Sequence, residues 1–192
     1  MNTDYKGIQF HIPREIKMPL AQKFSFQFYF HTLSKILGEP RCFFSELPVD
    51  SGFIKPLGFL IVSSIFFTGA SVVSRMPANP LYLGSIFFIN AVGMVLIASG
   101  LGYMVMVIFL GRSVTFKRLF SIYAFSSGIT LLAAWIPFFI WFTEPWKWWL
   151  IGTGMARSCG FRSWQIIMII GLSIGIMILF FLTVLPLVSP IK

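Results

Sequence analysis

The feature that most constrains this chain is a series of long stretches that contain no Asp, Glu, Lys, Arg or His. They run over residues 56–74, 81–111, 119–143 and 163–191, with a shorter one over 148–156. About 20 predominantly apolar residues cross the hydrocarbon core of a bilayer, so four of these stretches are long enough. Apolar residues make up 57% of the chain and charged residues 11%, against about 45–50% and 25% in a soluble domain. The sequence therefore predicts an integral membrane protein and excludes a soluble enzyme or a disordered chain.

The predicted fold class is all-α, a polytopic membrane bundle of five helices with a short fourth helix. The expected helices cover about 56–74, 81–111, 119–143, 146–158 and 163–188. The stretch 148–156 rises only about 14 Å as a helix, and snorkelling by the flanking Lys147 and Arg157 would extend it to a thin crossing. The stretch 81–111 exceeds the ~30 Å hydrocarbon core and favours a single tilted or kinked helix. Pro137 is expected to kink a helix or to mark its end.

The basic residues predict the orientation of the bundle, because Lys and Arg are enriched in cytoplasmic loops. If five helices cross, the inner segments 1–55, 112–118 and 157–162 hold 12 of the 15 basic residues. If only four cross, the inner side holds 11, so both topologies fit and five fits slightly better. We therefore expect a cytosolic N-terminus.

Residues 1–52 are predicted to form a cytosolic segment, and residues 53–192 the membrane domain. Phe26, Phe30, Leu33 and Leu37, together with Tyr29 and Ile36, recur at helical spacing, which predicts an amphipathic helix at the headgroup level. The alternation in residues 24–30 also fits a strand. Lys23 and Lys35 on this segment are expected to contact lipid headgroups or a partner.

The predicted membrane helices offer no residues for common chemistry. Pumps and proton-coupled carriers need ionisable groups at depth, and both histidines, His11 and His31, precede the first predicted span. The usual His/His ligation of a membrane haem is therefore excluded. Cys42 and Cys159 fall on the predicted inner side, where we expect free thiols. No enzyme activity, metal or cofactor is predicted.

Small and polar residues in the apolar stretches are candidates for helix packing. Gly171 and Gly175 in the last predicted helix, and Ala98 and Gly102 in the second, lie four residues apart. This spacing lets helices approach closely, either within one chain or between chains. Asn90 is the most polar residue at depth and is expected to hold helices together.

A basic loop on the predicted inner face supplies further candidate contacts. Arg112, Lys117 and Arg118 follow the second predicted helix. They are part of the orientation signal, and a contact to a lipid phosphate or to a partner protein is the alternative.

Three segments carry a family resemblance. They are residues 36–47 with the following Lys55-Pro56-Leu57, residues 110–127, and residues 148–164. The first resembles the pre-membrane segment of the Yip1 domain family, the second the glycine, threonine, basic and tyrosine pattern before its third helix, and the third its short fourth helix. The resemblance implies five helices, a cytosolic N-terminal side and little chemistry. Eukaryotic relatives are associated with small GTPases and vesicle traffic, whereas this chain resembles the bacterial type, which implies a bacterial inner membrane.

The sequence favours a non-catalytic membrane scaffold or accessory subunit that packs against other membrane proteins. Two alternatives stay open: a transporter or channel for lipids or small molecules, and an accessory subunit that lines a quinone or pigment site of an electron-transfer complex. The expected partners are membrane lipids and other integral membrane proteins or a second copy of the chain. No nucleic-acid partner is expected.

Overall fold

The computed structural model describes residues 25–48, 52–111 and 114–188. All secondary structure in these ranges is helical, which confirms the all-α prediction. The seven helices are α1 (Phe26–Gly38), α2 (Pro40–Ser45), α3 (Ile54–Arg75), α4 (Pro80–Val105), α5 (Phe116–Ala134), α6 (Ile140–Cys159) and α7 (Ser163–Val188). A π-helical turn, Met106–Leu110, extends α4.

Two of these helices are long and apolar enough to cross a membrane by length and composition. They are α3, with a mean hydropathy of 1.9, and the continuous helix Pro80–Leu110, with a mean hydropathy of 2.2. Pro80 opens α4 at the first helical turn, where its missing N–H costs nothing. Gly111 ends the π-helical turn with a φ of 58°, a backbone conformation that glycine adopts without steric cost. The predicted second span is thus one helix.

The boundary between the third and fourth predicted helices differs from the expected position. The sequence predicts a break at residues 144–145, between helices over 119–143 and 146–158, but α5 ends at Ala134 and α6 begins at Ile140. Pro137 lies in the break, and the next residue, Phe138, has a φ of 66°. Proline disfavours helical backbone in the residue before it, so it separates the helices more strongly than charge does. Glu144 and Lys147 form an ion pair within α6 instead of dividing two helices.

The central element of the fold is α5. Every residue from Leu119 to Thr130 is buried, because α5 packs against α3, α4 and α6. The outer helix α7 packs against α4 and α6. Residues of α3 to α7 meet in one hydrophobic core, which includes Phe59, Val95, Tyr123, Leu150 and Ile169.

The helices α1 and α2, which precede α3, pack into this same core. The helix α1 confirms the helical reading of residues 26–38 over the strand, and it buries Tyr29, Thr32 and Ile36. Tyr29 and Ile36 belong to the predicted apolar face, whereas Phe26 and Phe30 of the same face remain 71% and 62% exposed. Residues 25–48 are therefore attached to the following helices by one edge of the predicted face.

Candidate functional site

The junction between α1 and α3 is held by one tyrosine. The Tyr29 hydroxyl and Ser63 Oγ share a buried hydrogen bond of 3.0 Å, and the Tyr29 ring lies 4.8 Å from the Phe59 ring, centroid to centroid. A buried hydroxyl needs such a partner to offset its desolvation. The contact fixes α1 to α3.

The junction between α2 and α6 depends on Phe44. Ser158 Oγ in α6 donates a 2.5 Å hydrogen bond to the backbone oxygen of Phe44. One turn earlier in α6, a Cβ atom on Gly154 would lie 3.2 Å from the Phe44 ring and 2.5 Å from Ile122 Cγ2 in α5. Gly154 therefore lets three helices meet where a larger residue would separate them.

A charged pair joins α1 to the end of α2. Lys35 Nζ donates to Glu46 Oε2, and Cys42 Sγ donates to Glu46 Oε1 at 3.1 Å. The hydrogen bond from Lys35, followed by that from Cys42, lowers the pKa of the Glu46 carboxyl. The hydrogen bond to Glu46 also raises the pKa of the Cys42 thiol. Lys35, predicted to contact lipid or a partner, is thus engaged within the chain.

The two pairs of small residues have different environments. Ala98 is half-buried against the core, and a Cβ atom on Gly102 would lie 2.7 Å from the Tyr123 hydroxyl oxygen. This pair packs within the chain. In contrast, Gly171 and Gly175 are exposed on α7, and a Cβ atom on either would have nothing within 4 Å.

Asn90 lies on the outer surface of α4. Its side chain is exposed, although it stands about 15 Å along the helix from Pro80, near half the thickness of a bilayer core. Gly93 and Gly100, at helical spacing from Asn90, have open space beside them. The amide and the two glycines therefore share an open face of α4.

Two of the predicted basic contacts have described positions on α5. Lys117 is exposed and Arg118 is half-buried, and the buried Nε of Arg118 has no hydrogen-bond partner among the described residues. Arg112 and Lys23 lie outside the residues that the structure describes.

Two cavities open beside α6. A cavity of about 380 Å³ lies between α1, α5 and α6, and its lining is mostly apolar, with Leu33, Leu37 and Phe142 among its members. A second cavity, of about 410 Å³, lies between α2, α6 and α7 and carries Arg41 and Arg157. The rings of Trp146, in the first cavity, and Trp149, in the second, lie 5.3 Å apart, centroid to centroid.

Comparison with known protein families gives a match to the Yip1 domain over residues 35–185. The match includes every helix from the end of α1 to most of α7. This chain belongs to the Yip1 domain family. The resemblance read from the sequence is thereby confirmed, and membership together with two apolar helices indicates a membrane protein. Comparisons with curated proteins and with solved structures give no significant match.

The Yip1 match also bears on the helices before α3. It begins at residue 35, so it takes in Glu46, Phe44 and the α2–α6 junction. The helix α2 is thus part of the Yip1 domain, whereas most of α1 precedes the match.

Sequence reasoning missed the contacts that attach α1 and α2 to the other helices, and it missed the second cavity. Tyr29 stood on the helical stretch, but its partner Ser63 is separated from it by 34 positions, and no periodicity reports such a pairing. The sequence places Arg41 and Arg157 on the predicted inner side, and Arg157 beside the short fourth helix, but it does not bring the two residues together. Among the described residues, no group of three His, Cys, Asp or Glu side chains could hold a metal ion.

Proposed function

We propose that this Yip1 protein is a non-catalytic scaffold or accessory subunit that packs against other integral membrane proteins. In this proposal α3 to α7 cross the membrane and the N-terminal side faces the cytosol, an orientation that the distribution of basic residues supports. The proposed location is the inner membrane of a bacterium, on the likeness to bacterial family members. The exposed Phe26 and Phe30 of α1 would lie among the lipid headgroups.

The observation that carries the proposal is the exposed amide of Asn90. An amide that faces hydrocarbon without a hydrogen-bond partner costs several kcal/mol. A second helix that docks on this face would supply a partner for the amide, and the open space beside Gly93 and Gly100 would let its backbone come close. The outer face of α4 therefore fits a helix better than lipid.

The face of α7 supports the same conclusion independently. Gly171 and Gly175 are exposed and have open space at their Cβ positions, so packing inside the chain does not account for them. A small-residue pair on the outer surface of a membrane helix is typical of a helix–helix interface. No described residue within this chain covers it.

The proposal is tested by association in native-like membranes. We would purify the full chain in mild detergent with its co-purifying proteins, and measure energy transfer between differently labelled copies in vesicles. Asn90→Leu should weaken association roughly five- to thirtyfold, because an interhelical hydrogen bond in a membrane is worth about 1–2 kcal/mol. Gly171→Leu should also weaken it, because the larger side chain separates the helices.

Matched controls separate this effect from a general change in the helices. Ser85→Leu makes a similar polar-to-apolar change on α4, but the Ser85 hydroxyl already donates to the Leu81 backbone oxygen. Gly69→Leu adds the same side chain to an equally open site on α3. Both controls should associate like the unmodified protein. A monodisperse monomer with no co-purifying protein, or equal association in all variants, would refute the proposal.

A further inference from the structure

The second cavity beside α6 combines positive charge with an apolar wall. It is an open groove with a volume of about 410 Å³ and lies between α2, α6 and α7. The residues that matter for its chemistry are Arg41, Trp149, Thr153, Arg157, Ser163 and Ile167. None of the residues that line it is acidic.

The two arginines of the cavity have no acidic partner among the described residues. Within the described ranges Lys35 and Lys147 each pair with a glutamate, but neither Arg41 nor Arg157 forms an ion pair there. Both guanidinium groups belong to exposed residues and meet one cavity from different helices. Guanidinium groups bind phosphate oxygens in a two-pronged geometry, so the pair is complementary to a phosphate group.

The cavity changes from polar to apolar along its length. The helices α6 and α7 run antiparallel, because they are joined by the short turn at residues 160–162 and Gly152 packs against Ile166. Arg157 and Ser163 therefore stand at the connected end, and Trp149 and Ile167 lie further from it. This order matches the order of groups across a bilayer surface, from headgroup to acyl chain.

We propose that this cavity is a binding site for the headgroup of an anionic glycerophospholipid. Arg41 and Arg157 bind the phosphodiester oxygens, and the hydroxyl groups of Thr153 and Ser163 lie along the same cavity. Trp149 and Ile167 contact the start of the acyl chains. The site differs from the basic residues expected to bind lipid on sequence grounds, and it goes beyond the scaffold function because it needs no partner protein.

The test is a lipid titration of the full chain in neutral detergent, followed by native mass spectrometry. The probes are phosphatidylglycerol, phosphatidylcholine and free glycerol phosphate. The unmodified protein should prefer phosphatidylglycerol, since phosphatidylcholine brings a cationic choline toward the arginines. Arg41→Gln and Arg157→Gln should each weaken binding about fivefold, and the double variant about thirtyfold.

The matched control is Arg162→Gln. It removes an exposed positive charge next to Ser163 in the sequence, but Arg162 does not line the cavity. It should bind phosphatidylglycerol like the unmodified protein. Equal binding by the double variant, an equal loss in Arg162→Gln, or no headgroup preference in the unmodified protein would overturn the proposal. If free glycerol phosphate bound as tightly as the lipid, the lipid assignment would be overturned. Normal association of the double variant would leave the scaffold function standing on its own evidence.

Discussion

The contact at Gly154 gives the sharpest test of the packing. In Gly154→Ala the new methyl group would lie 2.5 Å from Ile122 Cγ2 and 3.2 Å from two carbons of the Phe44 ring. Carbon atoms pack best at about 3.5–4.0 Å. Ile122 and Phe44 are both fully buried, so neither side chain has free space into which it can turn.

The expected cost follows from these neighbours. Overpacking a core costs about 1–3 kcal/mol, and the closeness of two fully buried side chains places this site at the upper end. Alanine regains about 1 kcal/mol over glycine through its helix propensity. We expect a net loss of about 2 kcal/mol. A displacement of Phe44 would also stretch the hydrogen bond from Ser158 to its backbone oxygen, which adds to the loss.

The matched control is Gly69→Ala in α3, where the new methyl group meets nothing within 4 Å. It should be as stable as the unmodified protein or up to about 1 kcal/mol more stable. Thermal unfolding in detergent, followed by tryptophan fluorescence, would then separate the two variants by roughly 4–12 °C, at about 2–4 °C per kcal/mol. Equal midpoints for Gly154→Ala and Gly69→Ala would refute the close approach of α2, α5 and α6.

Two further predictions concern a buried hydroxyl and a surface carboxylate. Tyr123→Phe should leave stability unchanged or raise it, because the buried Tyr123 hydroxyl has no hydrogen-bond partner among the described residues. It should also reduce the loss of stability caused by Gly102→Ala, because the new methyl group would meet that hydroxyl. A double-mutant cycle of unfolding would measure this reduction. The lowered pKa of Glu46, caused by Lys35 and then Cys42, means that its stabilisation is present above the unfolded-state pKa and is lost as the pH falls through the folded-state pKa. Glu46→Gln should remove this pH-dependent contribution to the free energy of unfolding, which is less than about 1 kcal/mol for so exposed a pair. An unchanged pH profile of unfolding would contradict the stabilising role of the Glu46 carboxylate.

The helical class and the family were predictable because both depend on local patterns. A long apolar stretch between charges forms a helix in any membrane context, since backbone groups must be satisfied within the segment. The break before α6 was harder to place because two local signals competed. The charges of Glu144 and Lys147 predict a division there, but they form an ion pair within one helix, and α5 ends before Pro137.

The sequence predicts which side of a helix is apolar, but not which other helix that side contacts. The spacing of the apolar residues predicts one side of α1, but only the edge with Tyr29 and Ile36 is packed, together with Thr32. The buried hydrogen bond between Tyr29 and Ser63 makes this edge the attached one. The partner of a helix face depends on residues far along the chain, and periodicity within one helix does not encode them.

The sequence by itself determined an all-helical membrane protein of the Yip1 family, with long stretches that contain no Asp, Glu, Lys, Arg or His. Local composition is sufficient for that conclusion because burial in lipid acts on each stretch separately. Only the tertiary structure decided which small residues are used inside the chain. Gly102 meets Tyr123, whereas Gly171 meets nothing, though both belong to the same small-residue pattern. Only the tertiary structure brought Arg41 and Arg157 to one cavity, because their proximity depends on how α2 docks against α6.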